Sequence, residues 1–355
     1  MTRSRDRKTH GRRGFGGVVA VGGACVLVMA GSGVRAAEPG AAADAGYAAS
    51  TSVGVHNAYL QSAFPYLADA LDSGAGMLEL DVWTNFFGSG WRVGHDSPFT
   101  NQNNCVGATS PDGLRSGERD QGLAACLTDL RTWHDANPGH RPIQLKFELK
   151  DGFADNLGRG PAAFDALVEE TLGDAVYRPG ELAAGHASLD EAVAADGWPG
   201  RDELAGRFLI HLIPGTVEQG NPFDELWTDE EYGRHLRDLS ASGELDRAVA
   251  FPAVLGAEAG DPRVGRYEES LRPWFVVFDG SAPTYLESVD TGWYNERGYL
   301  LVMTDAHNVA PPISATDPTE EEALARVNEL AAGGATVASS DWTGLPSVLS
   351  TVVPH

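Results

Sequence analysis

The chain has 355 residues, of which 42% are hydrophobic and 21% are charged, as in ordinary soluble globular proteins. This length suits one large domain or two small ones. The formal net charge of −24 at pH 7 argues against a nucleic-acid partner and against electrostatic attraction to an anionic membrane.

Residues 1–36 have the pattern of a secretory signal peptide. Arg12-Arg13-Gly14-Phe15 precedes an apolar run from Val18 to Met29, and Ala36 is a small residue suited to cleavage. The paired arginines fit twin-arginine export, but a general secretory signal with a basic start looks similar. The apolar run is short for a membrane span. We therefore predict a secreted, extracellular protein.

The remaining chain is predicted to form a flexible mature N-terminus over residues 37–50, rich in Ala and Gly, and one folded domain over residues 51–355. Two cysteines remain after the signal peptide, Cys105 and Cys126. An even count in an exported protein predicts a disulfide between them. The bridge would close a loop of about 20 residues and contribute roughly 3 kcal/mol.

Short apolar runs alternate with helical stretches from residue 51 onward, which indicates a parallel sheet. Helices are predicted over residues 64–73, 123–137, 162–172, from 188, over 229–239 and over 318–332. The predicted strands end at His56, Asp81, His95, Glu148, His211, Asp279, Thr304 and Ser340. Eight strands with polar ends are typical of a single TIM-type (β/α)8 barrel, whose site lies at the C-terminal strand ends.

Two points about the fold stay open. A doubly wound open sheet is the alternative, although the Gly-rich phosphate turn that it needs after the first strand is absent from the sequence. Residues 248–255 could also form a strand, so the assignment over 215–273 is incomplete.

The segment Met77–Trp83 carries two carboxylates on one face of a strand, because side chains alternate and Glu79 and Asp81 are two residues apart. Adjacent carboxylates repel each other unless a cation or a shared proton lies between them. His95 follows soon afterwards. This grouping suggests metal-assisted acid–base chemistry, and a salt-bridged strand edge is the structural alternative.

Oxygen donors end several of the predicted strands. The set is Asn57, Glu79, Asp81 and Glu148. Hard oxygen ligands suit Ca²⁺ better than Zn²⁺, which prefers nitrogen and sulfur. A calcium site of this composition leaves His56 and His95 free for proton transfer. At other strand ends, His211 and His307 are weaker candidates, and Asp279 and Asp341 are expected to be structural caps.

The chain has three lysines: Lys8 in the predicted signal peptide, and Lys146 and Lys150 on either side of Glu148. Alternation places these last three residues on one face of a strand. A compact ammonium with an adjustable pKa is hard to replace by a guanidinium at a crowded site. We therefore predict that both lysines bind substrate phosphate or pair with site carboxylates. In the alternative, one faces solvent and the other only pairs with Glu148.

Four separated segments resemble one known family in the same order. Residues 55–60, Val-His-Asn-Ala-Tyr-Leu, resemble the His-Asn-x-Tyr-Leu segment that opens the catalytic barrel of metal-dependent phosphatidylinositol-specific phospholipases C. Residues 79–83 and 93–95 resemble the next two motifs, and Phe147-Glu148 lies where that family supplies a further calcium-binding glutamate. The chain is most similar to the small secreted bacterial branch, from about residue 51 to the end.

The resemblance implies one Ca²⁺, the only cofactor that we expect, bound by the four oxygen donors given above. It implies attack of the inositol 2-hydroxyl on phosphorus, with diacylglycerol leaving. His56 would bind developing charge or move protons, and His95 would be the general acid. Either Glu79 or Asp81 could be the general base. The expected partners are a phosphoinositide or inositol phosphodiester and a transient membrane surface, with the protein acting as a monomer.

Two other functions compete with this one. A glycerophosphodiester phosphodiesterase shares the barrel and a Glu-x-Asp strand, but it opens with His-Arg where this chain has His56-Asn57. A calcium-dependent binding protein without catalysis is the other alternative, although binding alone needs neither His56 nor His95.

Overall fold

The computed structural model describes residues 46–84 and 90–355. The predicted signal peptide and residues 37–45 of the predicted flexible N-terminus lie outside the described residues. Tyr47, fully buried, belongs to a 3-10 turn over Tyr47–Ala49, and the first strand begins at Ser50. The folded domain therefore starts a few residues earlier than residue 51, and Gly46 to Ser50 are not a flexible tail.

Parallel strands form a closed ring of eight. They are β1 Ser50–Val55, β2 Met77–Trp83, β3 Ile143–Leu149, β4 Phe208–Pro214, β5 Phe251–Leu255, β6 Val277–Ser281, β7 Leu300–Thr304 and β8 Val337–Ser340. Each pairs in parallel with the next along the chain. Val55 closes the ring by pairing with Ser340 of β8. The predicted (β/α)8 barrel is confirmed.

Helices connect the strands on the outside, as parallel crossovers require. The α-helices are Leu67–Asp72, Leu123–Ala136, Pro161–Thr171, Pro179–Leu182, Leu189–Ala195, Thr216–Gln219, Thr228–Ser242, Arg263–Arg266, Ala282–Ser288, Gly292–Asn295, Glu320–Ala332 and Pro346–Leu349. Among the described residues, none of these helices has the length and apolar character needed to span a bilayer.

One predicted barrel strand is wrong. The strand expected to end at His95 is only Arg92–Val93, and it pairs antiparallel with β2 through Val82 and Val93. Fewer than ten residues separate it from β2, whereas a parallel neighbour needs a crossover of a dozen or more residues. The eighth barrel strand is instead β5, which lies within residues 248–255.

Two residues of helix Leu123–Ala136 hold the loop that follows His95. The predicted disulfide is confirmed: Cys105 is bonded to Cys126 at the start of helix Leu123–Ala136, with 4.9 Å between their Cα atoms. One helical turn further on, the buried Asp129 accepts hydrogen bonds from the backbone N–H groups of Val106 and Ala108, both 2.7 Å long. These contacts fix the loop that borders the candidate site.

Candidate active site

Strands β2 and β3 bring three carboxylates together at the C-terminal half of the barrel. The register pairs Glu79 with Lys146 and Asp81 with Glu148. One oxygen each of Glu79, Asp81 and Glu148 lies within 4.8 Å of the others. Glu79 and Asp81 are at most 2% exposed. Burial raises the pKa of Glu79 to about 7, against the opposing charges of Lys146 and His56.

Both lysines of the folded domain lie within this cluster. Lys150 Nζ is 2.8 Å from Glu148 Oε1 and 3.3 Å from Asp81 Oδ2, and Lys146 Nζ is 3.5 Å from Glu79 Oε1. Neither lysine reaches solvent, since both are at most 5% exposed. The lysines therefore pair with site carboxylates, and the alternative with a solvent-facing lysine is wrong.

Asp279, the central residue of β6, is a fourth buried carboxylate beside this cluster. Its Oδ2 lies 3.0 Å from Lys146 Nζ and 3.5 Å from His211 Nε2. His211 Nδ1 lies 2.9 Å from Gln144 Nε2, so the amide donates and the ring hydrogen is on Nε2, facing Asp279. Burial opposes ionisation of Asp279, but Lys146 and His211 hold its pKa below the usual range.

His56 and Asn57 form the turn that follows β1. Asn57 has a backbone φ of 52°, in the left-handed region that asparagine tolerates better than most residues. Its side-chain oxygen accepts a hydrogen bond of 3.0 Å from the Tyr59 hydroxyl, which fixes the amide. Because β1 pairs with β2, this amide oxygen lies at the same barrel end as the carboxylates.

His56 is paired with Asp341, which directly follows β8. Its Nδ1 lies 3.0 Å from Asp341 Oδ1, and both side chains are partly exposed, at 46% and 37%. Burial of the ring opposes protonation of His56. The hydrogen bond with Asp341 and the charges of Glu79 and Asp341 outweigh this and raise the pKa of His56 to about 9.

His95 forms the matching pair on the other side of the cluster. Its Nδ1 lies 3.0 Å from Asp81 Oδ2, and its side chain is 40% exposed. The hydrogen bond to Asp81 raises the pKa of His95. Each histidine is thus held at Nδ1 by a carboxylate. Nε2 of His95, 3.9 Å from Asp96 Oδ1, is the nitrogen available for proton transfer, whereas Nε2 of His56 lies 3.0 Å from Asn57 Nδ2.

The cluster suits a divalent cation. Glu79 Oε2 and Asp81 Oδ1 are buried and have no hydrogen-bond partner, and a buried anionic oxygen without a partner is costly. With Glu79, Asp81, Glu148 and Asp279 ionised, two lysines leave two negative charges, the charge that one divalent cation balances. Only oxygen atoms are offered by the three converging carboxylates, which favours Ca²⁺ over Zn²⁺.

Two partners in the site were not assigned a role from sequence. Asp279 and Asp341 were expected to be structural caps, whereas they contact Lys146 and His56, respectively. Asp279 lies in the middle of β6 and Asp341 directly follows β8. The residues that they face depend on the register of strands far apart in the sequence. For His307, the structure gives a buried Nδ1 without a hydrogen-bond partner.

Comparisons with known proteins agree with this geometry. A family model described as phosphoinositide phospholipase C, Ca²⁺-dependent, matches residues 115–224. A Ca²⁺-dependent phosphatidylinositol-specific phospholipase C from Streptomyces antibioticus is 61% identical, with a TM-score of 0.86 over 88% of this chain and 99% of that chain. A calcium-dependent phosphoinositol-specific phospholipase C from Pseudomonas sp. has a TM-score of 0.65 over 89% of this chain and 97% of that chain.

The Pseudomonas protein is 19% identical and so shows the fold alone. The comparison with curated proteins found no match. The Streptomyces enzyme matches nearly along its whole length and at high identity, which confirms the resemblance inferred from the four motifs. The chain therefore belongs to the Ca²⁺-dependent phosphoinositide phospholipase C family.

Proposed function

We propose that this protein is a secreted Ca²⁺-dependent phosphodiesterase that cleaves phosphatidylinositol into diacylglycerol and an inositol phosphate, by way of a cyclic inositol phosphate. The observation that carries the proposal is the pair of carboxylate-held histidines, His56 with Asp341 and His95 with Asp81, on either side of a buried carboxylate cluster. Binding alone would need neither pair, so catalysis explains the site better than a binding protein does.

The residues that would hold Ca²⁺ are Asn57, Glu79, Asp81 and Glu148. The unpartnered oxygens of Glu79 and Asp81 support this assignment, as does the convergence of the three carboxylates. When bound, Ca²⁺ would supply positive charge that lowers the pKa of an attacking hydroxyl and offsets charge on phosphorus.

The two histidines have different roles. His95, held at Nδ1 by Asp81, is the general acid that protonates the diacylglycerol oxygen through Nε2. His56 is protonated at neutral pH, since its pKa is raised to about 9, and it donates a hydrogen bond to a phosphoryl oxygen. When water later attacks the cyclic phosphate, His95 acts in the opposite direction and accepts a proton.

Of the two carboxylates that could be the general base, Glu79 is favoured. Asp81 Oδ2 already contacts both His95 and Lys150, so Asp81 serves mainly to position the acid. Glu79 contacts Lys146 through Oε1, and burial raises its pKa to about 7, which suits a base that works near neutral pH.

Lys146 and Lys150 supply permanent positive charge beside the carboxylates that they contact. Since neither reaches solvent, we propose that they favour binding of the substrate phosphate through this charge and not by direct contact. The disulfide between Cys105 and Cys126 supports export, because such bonds persist in oxidising compartments. We further propose that residues 1–36 are the signal peptide and that the mature enzyme acts as a monomer.

The proposed function is tested by measuring turnover of phosphatidylinositol and of glycerophosphoinositol, each with Ca²⁺ and with a chelator. We expect phosphatidylinositol to be cleaved in the presence of Ca²⁺ and not in the presence of the chelator. Activity on the deacylated substrate alone would identify a glycerophosphodiester phosphodiesterase, and full activity in chelator would refute the calcium site.

Variants of the two histidines separate catalysis from binding. His56→Ala and His95→Ala are each expected to lose phosphatidylinositol cleavage by several orders of magnitude while keeping Ca²⁺ affinity, because the oxygen donors are intact. His186→Ala is the matched control, since His186 lies outside the cluster and pairs with Asp196. Full activity in either site variant would refute the role given to that histidine.

A further inference from the structure

Four buried polar side chains form a line inside the barrel, and the proposed mechanism gives three of them no role. The Tyr47 hydroxyl lies 3.3 Å from Gln144 Oε1, and Gln144 Nε2 lies 2.9 Å from His211 Nδ1. The other ring nitrogen, His211 Nε2, lies 3.5 Å from Asp279 Oδ2. All four side chains are at most 1% exposed. Branched apolar side chains usually fill such a barrel, and burying polar groups costs free energy, so this line needs a physical reason.

The pairing of β3 with β4 brings the line to the candidate site. Phe147 of β3 faces outward, since its ring packs on that of Phe164 on a surrounding helix, with 5.7 Å between the ring centroids. Side chains alternate along a strand, so Gln144 and Lys146 face the barrel interior. The register pairs Lys146 with His211, which places the imidazole on the same face of the sheet as the ammonium.

Every hydrogen along this line has one consistent position. Burial lowers the pKa of His211, so the ring is neutral and carries a single hydrogen. That hydrogen is on Nε2, because a lone pair there would face the ionised carboxylate of Asp279. Nδ1 is then an acceptor, which requires Gln144 to donate to it and to accept from Tyr47. Burial raises the pKa of Tyr47 to about 12, so its hydroxyl is neutral and supplies this hydrogen.

The line ends at a lysine that two carboxylates share. Lys146 Nζ lies 3.0 Å from Asp279 Oδ2 and 3.5 Å from Glu79 Oε1, so Asp279 is the closer partner. The contact of His211 with Asp279 is longer than an ordinary hydrogen bond and is mainly electrostatic, with the positive end of the N–H bond facing the carboxylate. It stabilises the charge of Asp279. Without it, the ammonium would be held less firmly by Asp279 and would move toward Glu79.

We propose that His211 is a positioning residue: with its hydrogen on Nε2, it keeps Asp279 as the partner of Lys146 and so leaves Glu79 available to Ca²⁺ and to the attacking hydroxyl. An ammonium closer to Glu79 would make this carboxylate a weaker base and a weaker ligand. The proposal rests on the proposed function, because that function gives Glu79 its two tasks. His211 is 1% exposed, so its effect reaches the substrate only through Asp279 and Lys146.

The position of the hydrogen is tested without any activity, by nitrogen NMR of the histidine side chains at neutral pH. The wild type should show His211 with a hydrogen on Nε2 and none on Nδ1. The spectrum of His211→Gln, which lacks this ring, identifies the signals. A hydrogen on Nδ1, or on both nitrogens, would overturn the proposal.

Kinetics test the positioning role. His211→Leu removes the N–H group and keeps a side chain of similar size. Its kcat should fall about tenfold with little change in KM, since the loss concerns the transition state and not substrate binding. His211→Gln places an amide N–H near the position of Nε2 and should recover most of kcat. Wild-type kcat in His211→Leu, or no recovery in His211→Gln, would contradict the proposal.

His235→Leu is the matched control for a general loss of stability. His235 also faces a buried aspartate, with its Nε2 2.7 Å from Asp165 Oδ2, but it lies on helix Thr228–Ser242 outside the barrel. This variant should keep the wild-type kcat and Ca²⁺ affinity even where its melting temperature falls. An equal loss of kcat in His235→Leu would assign the effect of His211→Leu to stability alone.

A double-mutant cycle with Asp279→Asn tests whether His211 acts through Asp279. His211→Leu alone should weaken the binding of Ca²⁺, measured by calorimetric titration, and should have little further effect in the Asp279→Asn background. Additive effects would overturn the proposal. Failure of the proposed function looks different. A wild type that cleaves no inositol phosphodiester, but shows the expected tautomer and the non-additive effects on Ca²⁺ binding, would refute the enzyme activity and support His211 as a positioning residue of the metal site.

Discussion

Replacing Asp279 by Asn is expected to destabilise the barrel and to weaken its affinity for Ca²⁺. The ammonium of Lys146 lies 3.0 Å from Asp279 Oδ2 and 3.5 Å from Glu79 Oε1, and all three side chains are at most 4% exposed. The substitution keeps the shape of the side chain and removes its charge. In the variant, Lys146 keeps one negatively charged partner, Glu79.

The size of each effect follows from burial. Removing one partner of a buried ion pair typically costs about 3–5 kcal/mol, because the other charge is left without its counterion. Lys146 keeps Glu79, so we expect about 3 kcal/mol, which lowers the melting temperature of a domain of this size by roughly 5–10 °C. Removing a unit charge within about 10 Å of a divalent cation weakens their attraction by a few kcal/mol at an effective dielectric constant of about 20, so the Kd for Ca²⁺ should rise at least about tenfold.

Thermal unfolding and calorimetric titration with Ca²⁺ measure the two effects separately. Asp174→Asn is the matched control, because Asp174 pairs with Arg131 at the surface and is 90% exposed. It should change neither the melting temperature nor the Ca²⁺ affinity. If folded Asp279→Asn bound Ca²⁺ with wild-type affinity, the charge balance assigned to the cluster would be refuted. An unchanged melting temperature would show that the ion pair with Lys146 contributes no stability.

Three further substitutions test the site and the fold. Asp341→Asn should lower the pKa of His56 from about 9 toward its ordinary value of 6.5, so the alkaline limb of the kcat/KM profile should move to lower pH; an unmoved limb would contradict the pairing. Burial raises the pKa of Glu218 to about 8, so the folded state binds this proton more tightly than the unfolded state, and stability is lost as pH rises from about 4.5 to 8. Glu218→Gln should remove this loss of stability, which is on the order of a few kcal/mol. Denaturant unfolding at pH 5 and pH 9 measures it, and a variant with the same difference in unfolding free energy between the two pH values as the wild type would refute the prediction. Replacing Cys105 and Cys126 together by Ser should cost roughly 3 kcal/mol in the same assay, because their 21-residue separation closes a loop of that size, and equal stability with and without reductant would contradict this.

The barrel could be predicted because most of its strands end in polar residues after apolar runs. That rule also explains the one error. Strand β5 ends in Leu255, so it lacks the polar end that marked the others, whereas Val93 is followed within two residues by His95 and imitates a barrel strand. Connection length would have distinguished them, since a crossover helix does not fit between β2 and residues 92–93.

The sequence allowed more of the carboxylate cluster to be predicted than of the residues that pair with the histidines. Alternation within a single strand is enough to place Glu79 with Asp81, and Lys146 with Lys150, on common faces. The pairing of His56 with Asp341 joins residues 285 positions apart through the closure of β1 on β8. Such a contact depends on barrel closure and on register, which no local pattern in the sequence carries.

The buried ion pairs and the histidines assigned to substrate chemistry lie in different parts of the site. The lysines and the carboxylates that they contact are buried at or below the strand ends, where water cannot screen them and their charges hold one another in place. His56 and His95 sit at the rim with 46% and 40% of their side chains exposed, where a substrate can reach them. Arginine carries every other permanent side-chain positive charge of the folded domain, so lysine is kept for the one place where a compact ammonium must fit between carboxylates. The geometry of the cluster thus explains why lysine and not arginine stands at positions 146 and 150.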